Sequence, residues 1–381
     1  MTNPGSAGGE PTTVPPVDTP GYLTSQLVTY LGNKRALLGP IGRAVAHVKQ
    51  RLGRDRLRVL DAFSGSGVVS RYLKAHASFI ASNDIEDYAG VIGRCYLRNR
   101  STVDLGALSL AVTDLNARVA ARQWPRGFIE ELYSPRDESS ITAADRVVYT
   151  TANARRLDDY RRLIDTVPAD LRDLLLAPLL SEASIHANTA GVFKGFYKNR
   201  ATRVGQYGGS GSDALKRICG DIRLDAPVLS AFECDYAVLQ GDARAAADRV
   251  RRLDLAYLDP PYNQHPYGSN YFMLNLLVSY QRPERISRVS GIPADWRRSD
   301  YNVRALALPR LLELFEAIDA PFVLLSFNDE GFVAPAAMRA ALEARGRVSV
   351  IETSHPAFRG SRSFARRPLR VTEQLFLVER G

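Results

Sequence analysis

Along this chain short apolar runs stop abruptly at small polar residues, and amphipathic stretches follow them. Arg58–Asp61 reads as a buried strand, the turn Ala-Phe-Ser-Gly-Ser-Gly comes next, and a helix is predicted from about Val68 to Ala75. A second strand covers Ala77–Ala81 and runs out in Asn83-Asp84. Upstream, residues 22–32 lead into a helix-like segment from Lys34 to Gln50. Strand, helix and strand in this order are the seed of a parallel sheet. From about 95 to 235 the alternation is lost, and helical stretches such as Leu171–His186 mix with a Gly-, Tyr- and Lys-rich segment. Strand patterns return at Tyr236–Gln240, Leu253–Leu258 and Pro321–Phe327. Two alternating runs, Arg347–Thr353 and Leu369–Arg380, resemble a hairpin that closes one sheet edge. No internal repeat is present. The pattern predicts an α/β fold: a doubly wound sheet with a C-terminal antiparallel hairpin and an inserted, mainly helical module. Its expected parts are a flexible leader (1–20), a core in two pieces (21–95 and 236–381) and the insert (96–235).

Composition narrows the class. With 381 residues, 45% hydrophobic and 24% charged, the chain can bury a large core, and disorder as a whole is excluded. The start, MTNPGSAGGEPTTVPPVDTP, has neither a basic region nor an apolar run, so a secretory signal is not expected. No stretch approaches the roughly 18–20 apolar residues that span a bilayer. A soluble, cytoplasmic protein is the expectation. The net charge is +9, from 44 Arg and only six Lys. Arginine suits bidentate contacts to phosphates and base edges, although a GC-rich coding sequence also favours it. The cysteines Cys95, Cys219 and Cys234 are far apart and form no CxxC or Cys/His cluster, which argues against a disulfide framework or a zinc site.

Two motifs carry chemistry. In Asp61-Ala-Phe-Ser-Gly65-Ser66-Gly67 the glycines let the backbone turn sharply and admit a ligand without a Cβ clash. Asp84 follows 23 residues after Asp61, at a strand end where a carboxylate can accept bonds from ribose hydroxyls. Ser70 stands where the last glycine of a GxGxxG would be, which disfavours an NAD pyrophosphate. The second motif, Asp259-Pro260-Pro261-Tyr262, ends an apolar strand. Two prolines stiffen the turn, and at the carboxyl end of a parallel strand it faces the ligand crevice. Methylation of an exocyclic amine wants these groups. The Asp259 carboxylate and the Pro260 carbonyl accept the two N–H bonds of a weakly nucleophilic amine, and Tyr262 offers a face on which the base stacks.

On these residues the chain resembles the Dam-like adenine-N6 DNA methyltransferases. Tyr30-Leu-Gly-Asn33-Lys34 is similar to the group's N-terminal aromatic-x-Gly-Gly-Lys motif, with Asn33 replacing the second glycine. Asp61–Gly67 is similar to its DxFxGxG cofactor loop, and Asp84 to the acid after its second strand. Gly241-Asp242 matches the Asp that meets the cofactor's adenine amino group, and Asp259–Tyr262 its catalytic turn. Ser326-Phe-Asn-Asp-Glu-Gly331 is similar to a later element. The resemblance implies a Rossmann-like methyltransferase sheet and S-adenosyl-L-methionine as methyl donor. Tyr30, Lys34, Asp61, Gly65, Gly67, Asp84 and Asp242 are then expected to bind the donor, and Asp259, Pro260, Pro261 and Tyr262 to be catalytic. It implies no metal, double-stranded DNA as partner, a companion restriction endonuclease acting on the same site, and a monomer.

In the resembling group a recognition domain lies between the cofactor loop and the catalytic turn, and here about 190 residues separate them. Within that gap, residues 191–217 hold six basic side chains against one acid, interleaved with aromatics. Lys194, Tyr197, Lys198, Arg200 and Arg203 are the candidates for phosphate and base contacts, against the plainer alternative of a solvated basic loop. The connection bearing Arg359, Arg362, Arg366, Arg367 and Arg370 is a further phosphate candidate. After Tyr262, the polar, aromatic stretch from Asn263 to Tyr271 is expected to close over an extruded base. His265 and His186 receive no catalytic role. The favoured reading is a site-specific enzyme that flips an adenine out of duplex DNA and methylates its N6. An RNA exocyclic-amine methyltransferase is the alternative, and the intact Asp259 and cofactor acids argue against a DNA-binding protein that has lost activity. A cytosine-C5 enzyme is disfavoured, since no cysteine here follows a proline.

Overall fold

Five strands build the parallel part of one sheet, and the inner ones are largely apolar, because a strand covered on both faces by helices must be apolar on both. They are β1 (Leu57–Asp61), β2 (Ala77–Asp84), β3 (Asp235–Gln240), β4 (Leu255–Leu258) and β5 (Phe322–Asn328). Two long antiparallel strands, β6 (Arg347–Pro356) and β7 (Arg370–Glu379), complete the edge. A computed structural model describes residues 18–121, 124–209, 214–329, 331–356 and 370–381. The strand order is β3-β2-β1-β4-β5-β7-β6. β7 lies antiparallel between β5 and β6, and the other pairings are parallel.

The order reverses between β1 and β4, and there a crevice opens at the carboxyl ends of the strands. The register places Asp61 opposite Tyr257, so the glycine loop and the Asp-Pro-Pro-Tyr turn leave the sheet side by side. The Ala62 amide donates to the Tyr257 carbonyl at 3.1 Å and holds the two exits together.

Alternate strand residues feed two cores. Leu57, Val59, Leu255, Tyr257 and Leu324 pack beneath helix α1 (Leu38–Leu52) through Ile41, Val45 and Val48. Leu60, Ala256, Leu258 and Val323 face the helix Arg304–Ala317 on the other side. A third core joins α3 (Asp87–Tyr96), which follows β2, to the helices of the intervening region, notably α6 (Thr151–Ile164) and α7 (Ala169–Ile185). α2 (Val68–Lys74) follows the glycine loop, with α4 (Leu105–Ala120) and α5 (Phe128–Tyr133) further along. Among the described residues no helix is long and apolar enough to cross a membrane.

Some expected elements differ in detail. β2 continues through Asn83-Asp84, because these polar residues pair with Leu239 and Gln240 of β3. The helix expected from Lys34 splits into a 3-10 turn, Lys34–Leu37, and α1. Of the leader expected over 1–20, residues 1–17 lie outside the described residues. Asp18 is anchored by Ser230 Oγ and the Ala231 amide, both at 2.7 Å. Glu330 and the arginines 359, 362, 366 and 367 are also outside the described residues, as is the Arg370 side chain.

Candidate active site

The loop after β1 shapes the crevice. Gly65 has φ +49°, and a Cβ on it would lie 2.8 Å from the Tyr30 ring. Only glycine combines that backbone with so close an aromatic neighbour. The Asp84 carboxylate accepts the Gly65 amide at 2.8 Å through Oδ2 and the Glu86 amide at 2.9 Å through Oδ1. It therefore holds the glycine loop against the end of β2. The resulting cleft, open to solvent, spans about 850 Å3 and is lined by Tyr30, Lys34, Gly65, Asp84, Asp242 and Asp259. Five of the seven residues expected at the donor site thus share a wall with Asp259. Asp61 and Gly67 sit behind this wall, Asp61 fully buried and Gly67 at the entry to α2.

At the floor a buried ammonium joins two carboxylates. Lys34 Nζ lies 3.1 Å from Asp259 Oδ1 and 3.3 Å from Glu373 Oε1. Ser326 Oγ donates to Glu373 Oε2 at 3.4 Å. Lys34 is 3% exposed. Burial pulls its pKa down, but Asp259, with Tyr262 and Glu373, outweighs burial and carries it well above the ordinary value. Burial pushes the Asp259 carboxyl up to about 7, with the Lys34 ammonium pulling against it and Glu373 adding to the rise. Asn33 explains its own departure from glycine: its φ is −54°, and its side chain accepts the Arg35 amide at 2.8 Å, capping the turn that delivers Lys34.

An aromatic wall stands beside this triad. Tyr30 stacks on Tyr267 and Tyr271 at centroid distances of 5.1 and 4.8 Å, and its hydroxyl meets that of Tyr88 at 3.1 Å. The Tyr271 hydroxyl accepts the Leu31 amide at 2.7 Å, and the Tyr267 hydroxyl donates to the Leu31 carbonyl at 3.1 Å. The stretch after Tyr262 is therefore not wholly free to close over a base. Its second half is pinned by tyrosines to the segment that carries Lys34. Of the Asp-Pro-Pro-Tyr turn, Asp259 and Pro261 line the cleft, whereas Pro260 and Tyr262 line a neighbouring apolar recess with Phe327.

A family model of the D12 class N6 adenine-specific DNA methyltransferases matches residues 30–302. The chain belongs to this family. It is 26% identical to the type II methyltransferase M.NlaIII of Neisseria lactamica over 88% of this chain and 94% of that protein. M.CviAII of Paramecium bursaria Chlorella virus 1 is 26% identical over 92% and 98%. The modification methylase StsI of Streptococcus sanguinis is 25% identical over 80% of this chain but only 44% of its own length. The protein is thus a DNA adenine-N6 methyltransferase.

Several residues of this methyltransferase site escape sequence reasoning. Glu373 lies in the polar first half of the final strand, RVTEQLFLVE, where nothing local sets it apart or ties it to Lys34. Glu86 is 2% exposed, accepts from Asn275 Nδ2 at 2.5 Å, and is raised to about 7, chiefly by burial. Phe63 and Tyr301 meet edge to face at 5.1 Å on the cavity wall near Asp242. Asp242 caps the helix Ala243–Arg249, accepting the Arg244 amide at 2.9 Å. The basic candidates lie outside the cavity. Lys198 bridges Gly205, and Asn199 and Val204 close a hairpin whose exposed tip carries Arg200 and Arg203. Tyr197 stands at its base, where its amide donates to Asn188 O at 3.1 Å. His186 pairs with Glu182 at 3.2 Å.

Proposed function

We propose that this methyltransferase moves a methyl group from S-adenosyl-L-methionine to the N6 amine of an adenine rotated out of duplex DNA. The observation that carries the reading is that one cavity holds both the glycine loop and Asp259, so donor and amine would meet in a single chamber. Asp61 supports a cationic donor. Its Oδ2 accepts Ser70 Oγ at 2.6 Å, while Oδ1 is buried without a hydrogen-bond partner; the Phe63 amide pulls on the carboxylate without meeting hydrogen-bond geometry. Burial, with the Asp259 and Asp84 charges adding, raises Asp61 to about 7. A site with this surplus of carboxylates is relieved by a ligand bearing ammonium and sulfonium charges. Tyr30, Lys34, Gly65, Asp84 and Asp242 would hold the donor, with Asp61 and Gly67 shaping its wall from behind, and the donor would supply an electrophilic methyl group.

The remaining work falls to the catalytic turn. Asp259 and the Pro260 carbonyl orient the amine, Pro261 keeps the turn stiff, and Tyr262 stacks on the base. As the N–C bond forms and the donor's S–CH3 bond would break to leave a neutral thioether, positive charge grows on the amine, and the Asp259 carboxylate stabilises it. The spent proton leaves through Asp259 to solvent. Extruding the adenine costs a few kcal/mol, offset by such pocket contacts. The region 96–235 would recognise the DNA site through Lys194, Tyr197, Lys198, Arg200 and Arg203, with the chain acting as a monomer. By analogy with its type II relatives, it would protect sites cut by a companion endonuclease. Incubating plasmid DNA with labelled donor and mapping the modified adenines tests the proposal. Transfer to structured RNA in preference to duplex would overturn it.

A further inference from the structure

A second hairpin lies downstream of the catalytic turn, over residues 285–294. Ile286 bridges Pro293. The Ser287 amide donates to Ile292 O at 2.8 Å, Gly291 to Ser287 O at 3.0 Å and Ala294 to Arg285 O at 3.0 Å. The hairpin is braced on the helical region. Tyr133 Oη donates to Gly291 O at 2.8 Å, Arg146 Nη2 to Arg288 O at 3.2 Å, and Ser290 Oγ to Lys194 O. Gly291 has φ +71°, and a Cβ there would meet the Tyr133 ring at 2.6 Å, so the turn is seated in one conformation.

What this rigid hairpin presents to solvent is unusual. Arg285, Ser287, Arg288 and Val289 are exposed, Val289 by 50%. Arg282, just upstream, is clamped by Glu131 at 2.6 Å. Neither Arg285 nor Arg288 has a carboxylate partner among the described residues, and the same holds for Lys194, Lys198, Arg200 and Arg203. The two hairpins are also tied to the chemistry. Ser290 holds the Lys194 carbonyl, and the Phe193 amide donates to Asn270 O at 2.8 Å, at the end of the short helix that follows the catalytic turn.

We propose that the 285–294 hairpin is a second DNA-gripping element, in which Arg285 and Arg288 take backbone phosphates and Val289 makes an apolar contact with the bases between them. Unpaired arginines on a fixed scaffold match phosphate positioning, and an apolar residue at a rigid tip is the kind of side chain that presses on a base step. Preorganisation lowers the ordering cost of binding. The inference rests on the reading that duplex DNA lies over the Lys198–Gly205 hairpin.

The test uses the full-length protein and a fluorescent duplex carrying an adenine site mapped on plasmid DNA. Binding is followed by anisotropy over a salt series, with donor binding by calorimetry as a control for folding. The double variant Arg285→Ala/Arg288→Ala should lower the log–log salt slope by about 1.8, roughly 0.9 for each lost phosphate contact. Val289→Ser should weaken duplex binding with no change of slope, since an apolar contact releases no counterions. An unchanged slope in the 285/288 variant, beside a lowered one in Lys198→Ala/Arg200→Ala, would overturn this inference alone. Unchanged slopes in both would place the DNA elsewhere and remove the reading beneath it.

Discussion

In the proposed reaction Asp259 stays ionised in a largely buried site while accepting hydrogen bonds from a neutral amine. Lys34 resolves this by standing 3.1 Å away as a fixed cation, while Glu373 keeps that cation from neutralising Asp259 entirely. Asp259→Ala should keep the fold and both binding functions yet slow transfer by 10²–10³, about 3–4 kcal/mol of transition-state stabilisation. Asp259→Asn should be nearly as damaging, since an amide has no charge and can present a donor. Tyr262→Phe should be mild and Tyr262→Ala severe. Single-turnover transfer with donor and DNA saturating measures all four, and a near-native rate for Asp259→Ala would make the turn merely structural. The pH dependence follows from the raised pKa. Below about 7 Asp259 is protonated and cannot accept, so the rate should climb as pH rises through about 7. Lys34→Met removes the cation that lowers this pKa and should move the midpoint up. Glu373→Gln removes a charge that raises it and should move the midpoint down. A rate indifferent to pH in all three proteins would deny Asp259 this role.

The loop after β1 is the element that the proposed donor site depends on. Gly65→Ala would force a left-handed backbone on an L side chain and drive a methyl group against Tyr30, which Tyr267 and Tyr271 back from behind. We expect a loss of about 1–3 kcal/mol of stability and most of the donor affinity. Thermal unfolding and calorimetric titration with the donor check both, and retained affinity would show that the tyrosine stack yields. This loop was readable beforehand, because an apolar strand followed by closely spaced glycines is a local pattern. The end of β2 was not, since Asn83 and Asp84 extend a strand only through their pairing with β3.

At the scale of the whole molecule, the helical region and the sheet are one cooperative body. α3 and α7 share a core, and Arg94 of α3 binds Asp173 of α7 at 2.8 Å. We therefore expect one unfolding transition with equal calorimetric and van't Hoff enthalpies. A separate earlier transition for residues 96–235 would show that the insert stands alone. The sequence by itself determined the parallel sheet, its hairpin edge, the glycine loop and the Asp-Pro-Pro-Tyr turn. Each of these is written in neighbouring residues, where apolar runs, glycines and prolines act through local backbone chemistry. Only the tertiary structure decided that Asp84 is engaged by the Gly65 and Glu86 amides, and that the aromatic stretch after Tyr262 is pinned. It alone also joined Glu373 to Lys34 across 339 residues. The sheet order sets β2 beside β1 and β7 beside β5, and with the packing around it brings these distant residues together, which no local propensity encodes.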